Sequence, residues 1–164
     1  MYRATTSLAL LLLVVACSSG GGAGSPTAPG APSVAQIEFD SFTLINGART
    51  GNGIDPPLEL REAVAAVARG HSRNMRQQGF FGHADPAGQT LVQRLADEGI
   101  TYRVAAENLA RVTNVENPAA WAHDQLMQSA EHRPNILNSD FQFVGVGVVT
   151  DGTTYWLTQV FIGL

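Results

Sequence analysis

The sequence predicts an α+β domain, with helices in its first part and an antiparallel sheet near its end. Apolar residues recur at helical spacing in three segments, 36–49, 58–78 and 89–98. Later, the β-rich runs 142–149 and 154–162 flank Asp151-Gly152, a dipeptide typical of a two-residue hairpin turn of type I′. Because helices and hairpin are segregated along the chain, we expect an α+β arrangement.

Three further elements complete the prediction. Asn117-Pro118 is a favourable N-cap and first-turn pair, so a fourth helix is expected at 118–129. His132 to Leu137 are expected to form a short helical turn, and Tyr102 to Val112 a first strand.

The hairpin turn also predicts a strand register. It places Gly147 opposite Trp156, Gly145 opposite Thr158 and Val146 opposite Leu157. Since side chains alternate between the faces of a strand, the two glycines share a face with Trp156. The missing side chains leave space there, which we expect a packed helix or a ligand to fill.

Composition excludes some classes of function. Of the 164 residues, 45% are hydrophobic and 15% charged, which is typical of a globular chain. All ten basic residues are Arg, no basic run occurs, and the net charge is −4. A nucleic-acid partner is therefore not expected. Neither a Gly-x-Ser-x-Gly elbow nor a phosphate-binding Gly-rich loop is present.

The N-terminal segment predicts export. An apolar run from Leu8 to Val15 is too short to span a bilayer, and Ala16-Cys17 resembles the cleavage site of a bacterial lipoprotein. We expect a signal peptide at 1–16, lipidation of Cys17 and a flexible Gly/Ser/Pro tether to residue 35, followed by a single domain at 36–164. Cys17 is the only cysteine, so the domain has no disulfide. The alternative is an ordinary secretory signal with an incidental Cys.

Several segments, in order, resemble the bacterial branch of the CAP superfamily (cysteine-rich secretory, antigen-5 and pathogenesis-related proteins). They are Leu44-Ile45-Asn46-Gly47-Ala48-Arg49, His71-Ser72-Arg73-Asn74-Met75, Phe80-Phe81-Gly82-His83-Ala84-Asp85-Pro86-Ala87-Gly88, Ala106-Glu107-Asn108-Leu109-Ala110, Ser129-Ala130-Glu131-His132-Arg133-Pro134-Asn135-Ile136-Leu137, Val144-Gly145-Val146-Gly147 and Tyr155-Trp156-Leu157-Thr158-Gln159-Val160-Phe161. The resemblance implies a three-layer α-β-α sandwich around a small central antiparallel sheet.

The resemblance also implies a cleft. Family members often carry two His and two acidic residues there, and His83, Glu107 and His132 match family positions. We expect them to converge with three further residues, Asn108, Trp156 and Gln159. The set departs from the family, because Trp156 stands where eukaryotic members have a His and no acid matches near Gln128 or Ser129.

Two His and a carboxylate are a common zinc set, so His83 and His132 are candidate metal ligands, with Zn²⁺ as the one cofactor considered. His83, Glu107 and His132 are also the candidate catalytic residues. The alternatives are structural: hydrogen bonding at a helix start for His132 and a buried acceptor for Glu107. His71, on an apolar helix face, is expected to be a satisfied core histidine. Phe80, Phe81 and Trp121 are expected in the core, with a ligand platform as the alternative.

Three functions remain open. The favoured one is a monomeric, lipid-anchored protein of the cell envelope that binds a lipid, a glycan or a cell-wall fragment in this cleft. In a Gram-negative host it would reside at the outer membrane, since Ser18 and not Asp follows Cys17. The second is a metal-dependent hydrolase of peptide or cell-wall substrates, and the third an envelope protein-interaction module with a vestigial cleft.

Overall fold

The computed structural model describes Met1 and residues 30–164 of the chain. The chain divides into Met1–Gly30, of which only the two end residues are described, and a compact unit, Ala31–Leu164. The predicted signal peptide and the lipidated Cys17 thus lie outside the described residues, apart from Met1. The elements of the compact unit are α1 (Val34–Gly51), β1 (Glu59–Leu60), α2 (Glu62–Gln78), α3 (Leu91–Asp97), β2 (Val104–Thr113), α4 (Pro118–Gln128), α5 (Arg133–Ile136), β3 (Phe143–Thr150) and β4 (Thr154–Gly163).

Capping residues set the limits of the helices. Ser33 Oγ accepts a hydrogen bond from the main-chain N–H of Gln36, so α1 begins two residues before the predicted start. The Asn117 side chain caps α4 as predicted. α2 ends where Gly79 adopts a left-handed conformation, φ 69°. The prediction that α2 begins at 58 is wrong, because residues 59 and 60 pair with β3 as β1.

The sheet has the order β1-β3-β4-β2. The three long strands, β3, β4 and β2, are antiparallel as predicted, whereas β1 runs parallel to β3 and makes the sheet mixed. Beyond β1, the outer edge of β3 is covered by Glu38, whose Oε1 accepts a hydrogen bond from Val148 N–H at 3.0 Å. β2 forms the opposite edge.

The predicted hairpin register is wrong by two residues. Gly147 lies opposite Thr158 and Gly145 opposite Val160, and Trp156 faces Val149. The reason is the turn: Asp151 N–H donates to Thr154 O, so Gly152 and Thr153 are the central residues. Only Gly152 has a positive φ, 101°, which matches a type II′ turn and not type I′. Because a shift of two residues preserves alternation, the predicted faces are correct.

Helices cover both faces of the sheet and form the three-layer α-β-α sandwich. One core joins α1, α4 and α5 to inward residues such as Leu157 and Phe161. The other joins α2 and α3 to Val160 and Ile162. The space at the glycines is filled by a helix, since a Cβ on Gly145 or Gly147 would collide with the α2 backbone. Among the described residues, no helix is both long and apolar enough to cross a membrane.

Candidate functional site

Glu107 is the centre of a polar cluster on the α2 side of the sheet. Strand β2 carries it, and its side chain is only 3% exposed. Oε1 accepts a hydrogen bond from His83 Nδ1–H at 2.9 Å, and Oε2 accepts one from Arg94 Nη2–H at 2.6 Å. The sequence predicted His83 and Glu107 in one cleft, and the structure brings them into direct contact. The carboxylate is fixed by two charge-assisted bonds.

Arg94 is a residue of this cluster that the sequence analysis missed. Its buried guanidinium neutralises Glu107 and also donates to the main-chain oxygens of His83 (3.1 Å) and Gln89 (3.2 Å). Arg94 therefore holds both the carboxylate and the loop that carries His83. A signal was present, because Arg94 shares a helix face with Leu91 and Leu95, and a charge on an apolar face indicates a buried ion pair.

His83 is the exposed member of the cluster, with 60% of its side chain accessible. The hydrogen bond to Glu107 raises the pKa of His83. Since Nδ1–H is donated to the carboxylate, the neutral ring keeps its lone pair on Nε2, which is left free for a ligand. Within residues 30–164 no hydroxyl or thiol side chain bonds to His83. The arrangement can accept or deliver one proton but shows no activated nucleophile.

His71 lies behind Glu107, fully buried in α2. Its Nε2–H donates to the main-chain oxygen of Gly82 at 2.9 Å and lies 3.9 Å from Glu107 Oε1. Burial lowers the pKa of His71, which favours the neutral ring. The expectation of a satisfied core histidine is only half met, because Nδ1 has no partner in the described part of the chain. His71 anchors the loop next to His83.

A cavity of about 420 Å³ opens beside the His83–Glu107 pair. Apolar groups dominate its lining, and Asn135 adds an amide. The other lining residues are Ala84, Thr90, Leu91, Val92, Ala105 and Ala106. We call this space the dyad cavity. An apolar cavity with a few placed polar groups is the usual form of a small-ligand site.

His132 lines a different cavity, of about 270 Å³, which we call the aromatic cavity. Its Nδ1 lies 2.8 Å from Ser129 Oγ, as the alternative of a helix-start hydrogen bond predicted. Phe81 and Trp121 line the same cavity and are each 44% exposed, so the prediction that they belong to the core is wrong. The reason is their position beside the outer edge of β2, where no further strand or helix of residues 30–164 covers them. The Arg111 guanidinium lies 5.1 Å from the centre of the Phe81 ring.

The structure places the other three predicted cleft residues apart from His83. Asn108 follows Glu107 in β2, so its side chain points to the opposite face, where it donates to Gln159 Oε1 at 3.2 Å. Gln159 is buried there and also bonds to Ser41. Trp156 is half-buried on the Glu107 face, opposite Arg111, and lines neither cavity.

The residues present do not fit a metal centre. Both Glu107 oxygens are engaged by His83 and Arg94, and His132 bonds to Ser129. No group of three His, Cys, Asp or Glu side chains suited to a metal ion occurs in the part of the chain that the structure describes. Zn²⁺ binding by His83 and His132 therefore stays a prediction that this geometry does not support.

A family model described as the cysteine-rich secretory protein family, CAP, matches residues 42–161. The chain belongs to the CAP family. Its CAP domain is 36% identical to the Bacillus subtilis protein YkwD over 140 residues, which cover 84% of this chain and 51% of YkwD. The B. subtilis membrane protein YlbC is 35% identical over 68% of this chain and 31% of its own length. The chain thus spans about half or less of these relatives.

Solved structures agree with the CAP fold. An extracellular protein with an SCP domain from Bacillus anthracis is 33% identical, with a TM-score of 0.68, over 85% of this chain and 45% of that one. An outer surface protein of Borrelia burgdorferi has a TM-score of 0.71 over 80% of this chain and 96% of that one. At 16% identity, this second likeness shows the fold alone.

Proposed function

We propose that the CAP domain is a binding module that holds a ligand, without turnover, at the His83–Glu107 pair. One observation carries the proposal: a buried Arg94–Glu107 ion pair fixes an exposed imidazole at the mouth of an apolar cavity. Burying an ion pair costs desolvation, so its use to orient one surface His indicates a role for that ring. The candidate ligands are a lipid, a glycan or a cell-wall fragment, and the apolar lining favours the lipid or an apolar part of the other two.

The test follows the imidazole signals of His83 by NMR while three probes are added: oleate, a chito-oligosaccharide and soluble muropeptides. We expect one probe to shift these signals. Its dissociation constant, measured by calorimetry, should rise at least tenfold in His83→Ala and Glu107→Gln, and stay unchanged in Glu116→Gln, which removes an exposed carboxylate outside the cluster. If no probe moves the His83 signals, the proposal is wrong.

A second function, hydrolysis of a peptide or cell-wall substrate, is favoured by the geometry of His83. A carboxylate on Nδ1 and a free Nε2 are the features of a general base. Release of dye from labelled cell walls or casein, lost in His83→Ala and retained in Glu116→Gln, would support it. Metal analysis of the purified protein would show whether such turnover needs an ion.

We also propose that this domain lies outside the cytoplasm and is anchored to the envelope through a lipid on Cys17. The apolar run before Cys17 supports export, and the B. anthracis relative at 33% identity is extracellular. In Cys17→Ser, the protein should lose the acyl mass and move from the membrane to the soluble fraction. Ser18→Ala is the control. An unchanged fraction and mass for Cys17→Ser would rule out the anchor.

A further inference from the structure

On its outer side, strand β2 carries main-chain N–H and C=O groups that bond to no other strand of the sheet. Asn114 N–H donates to Thr153 O, and along an antiparallel ladder every second residue repeats this pattern. Even-numbered residues of β2 therefore bond to β4. The N–H and C=O of the odd-numbered residues face away from the sheet; these are Ala105, Glu107, Leu109 and Arg111. No loop, turn or side-chain hydrogen bond within residues 30–164 reaches them.

Both cavities lie along this free edge. The dyad cavity is lined by residues 105–107, and the aromatic cavity by residues 109–111. One wall is the segment with Phe81, His83 and Val92, and the other is formed by α4 and α5 through Trp121 and Asn135. The two cavities therefore adjoin the same row of unpaired main-chain groups, and we call the cavities and this row the groove.

We propose that this groove binds an extended peptide, which pairs with β2 as a fifth strand of the sheet. Unpaired N–H and C=O groups in a partly buried edge are costly, and a polypeptide strand matches their spacing. The inference rests on the proposed function that the site at His83 binds a ligand, and it assigns an extended peptide in place of the lipid, glycan or cell-wall fragment. Four residues of an extended strand span about 13 Å, so side chains of the peptide four positions apart reach the two cavities.

The side chains of the groove define the peptide further. The dyad cavity accepts an apolar side chain, against Leu91 and Val92. At the other end, Phe81 and Trp121 are exposed, and the Arg111 guanidinium makes no ion pair with any carboxylate of the described residues. An acidic group of the peptide fits there, because it would pair with Arg111.

The experiment selects linear peptides from a phage-displayed random dodecapeptide library on the full chain. A selected peptide is then resynthesised with single N-methyl groups at successive positions. We expect methylation to weaken binding at least tenfold at every second residue and to have little effect at the residues between. Binding that is insensitive to N-methylation, or a library that yields no enriched peptide, would overturn the inference.

Variants of β2 test the same contact from the protein side. Ala105→Pro removes an N–H that faces the groove and leaves the bonds to β4 intact, as edge strands tolerate. It should weaken the peptide at least tenfold, whereas Ala105→Ser, which keeps the N–H, should not. Equal binding by the two variants would contradict strand pairing. Arg111→Gln should remove any preference for an acidic residue over its amide.

The outcomes separate this inference from the proposed function. If oleate or the chito-oligosaccharide binds in a manner dependent on His83 while no peptide does, the groove is a binding site and the peptide assignment fails. If a peptide shows the alternating N-methyl pattern but binds equally well to His83→Ala, strand pairing holds and the role proposed for His83 fails.

Discussion

Arg49 and Arg94 are both buried, but Arg94 binds a carboxylate and Arg49 binds main-chain carbonyl oxygens. Arg94 pairs with the Glu107 carboxylate. Arg49 is 1% exposed and donates to three main-chain oxygens, those of Ile136 (3.0 Å), Asn138 (2.7 Å) and Phe141 (3.4 Å). Burial lowers the pKa of Arg49. Arg49 thus links α1 by hydrogen bonds to α5 and to the segment after α5. Because α5 begins directly after His132, this contact also positions His132.

Arg49→Met should destabilise the domain. The substitution removes the Arg49 donor from the buried main-chain oxygens of Ile136 and Phe141, whereas Asn138 O still accepts from Phe141 N–H at 3.5 Å. Each buried unsatisfied group costs about 1–3 kcal/mol, so we expect a loss of roughly 2–5 kcal/mol. The same change at the exposed Arg133 should alter stability by less than about 0.5 kcal/mol. Urea unfolding of both variants measures the difference. Equal midpoints would show that Arg49 does not hold this segment.

The pKa of His83 is the second prediction at this scale. The bond to Glu107 raises it, so the contribution of the protonated ring to stability is fully present below about pH 6.5 and is lost as the pH rises through the raised pKa. In Glu107→Gln the pKa should fall, whereas Glu131→Gln should lower it much less. An NMR titration of the His83 ring protons measures this pKa in the wild type and in both variants. If His83 titrates at the same pH in wild type and Glu107→Gln, the contact is absent in solution.

At the scale of elements, α2 packs on the sheet at two positions that lack side chains. A Cβ on Gly147 would meet the backbone of Ala68 and Arg69, and one on Gly145 the backbone of Val64 and Ala65. Backbone atoms cannot rotate aside as a side chain can, so the helix itself would have to move. This contact sets the distance between α2 and the strand that it covers, and hence the position of His71.

Gly147→Ala should therefore destabilise the fold by about 1–3 kcal/mol through overpacking. Gly47→Ala is the matched control: Gly47 lies in α1 with no atom near its would-be Cβ, so the change should stabilise by about 0.5–1 kcal/mol. Thermal melting of the two variants should show shifts of opposite sign. A Gly147→Ala protein as stable as wild type would mean that α2 sits farther from β3.

Local patterns in the sequence were enough to predict most elements, because Asn117-Pro118 and Gly79 act on their own neighbours. Contacts between distant segments were harder. The two-residue strand β1 exists only through its pairing with β3, and no pattern in residues 58–60 shows it. The hairpin register depended on which residues occupy the turn: Asp151 uses its side chain to accept from Thr153 and Thr154 N–H, which moves the turn one residue along.

Only part of the candidate site was predicted, because it too is formed by contacts between segments that are distant in sequence. The family resemblance led to His83 and Glu107, which the structure joins. It also grouped Asn108 and Gln159 with them, although alternation along β2 already places Asn108 on the other face from Glu107. Arg94 matched no motif, and the exposure of Phe81 and Trp121 depends on the free edge of β2, which only the strand order reveals.

At the scale of the whole molecule, the described domain carries no cysteine, and two apolar cores must stabilise it. Residues 31–164 should therefore fold as a monomer with the same melting temperature in the presence and absence of reductant. The segment should begin at Ala31, because starting at Val34 would remove the Ser33 cap, worth about 1 kcal/mol. Sedimentation and thermal melting test this. A dimer, or a melting temperature that depends on reductant, would contradict it.

The two edges of the sheet differ, and this limits how copies of the domain can associate. Glu38 and β1 occupy part of the edge at β3, whereas no strand of residues 30–164 pairs with the outer side of β2. A fibre built by strand addition needs an open edge on each side of every subunit, so that growth continues from the newest copy. Two molecules joined through their β2 strands would leave on each copy only the β3 side, where β1 is two residues long and Glu38 binds Val148 N–H. Strand addition beyond two copies would have to use this short and partly capped edge, which disfavours growth into fibres.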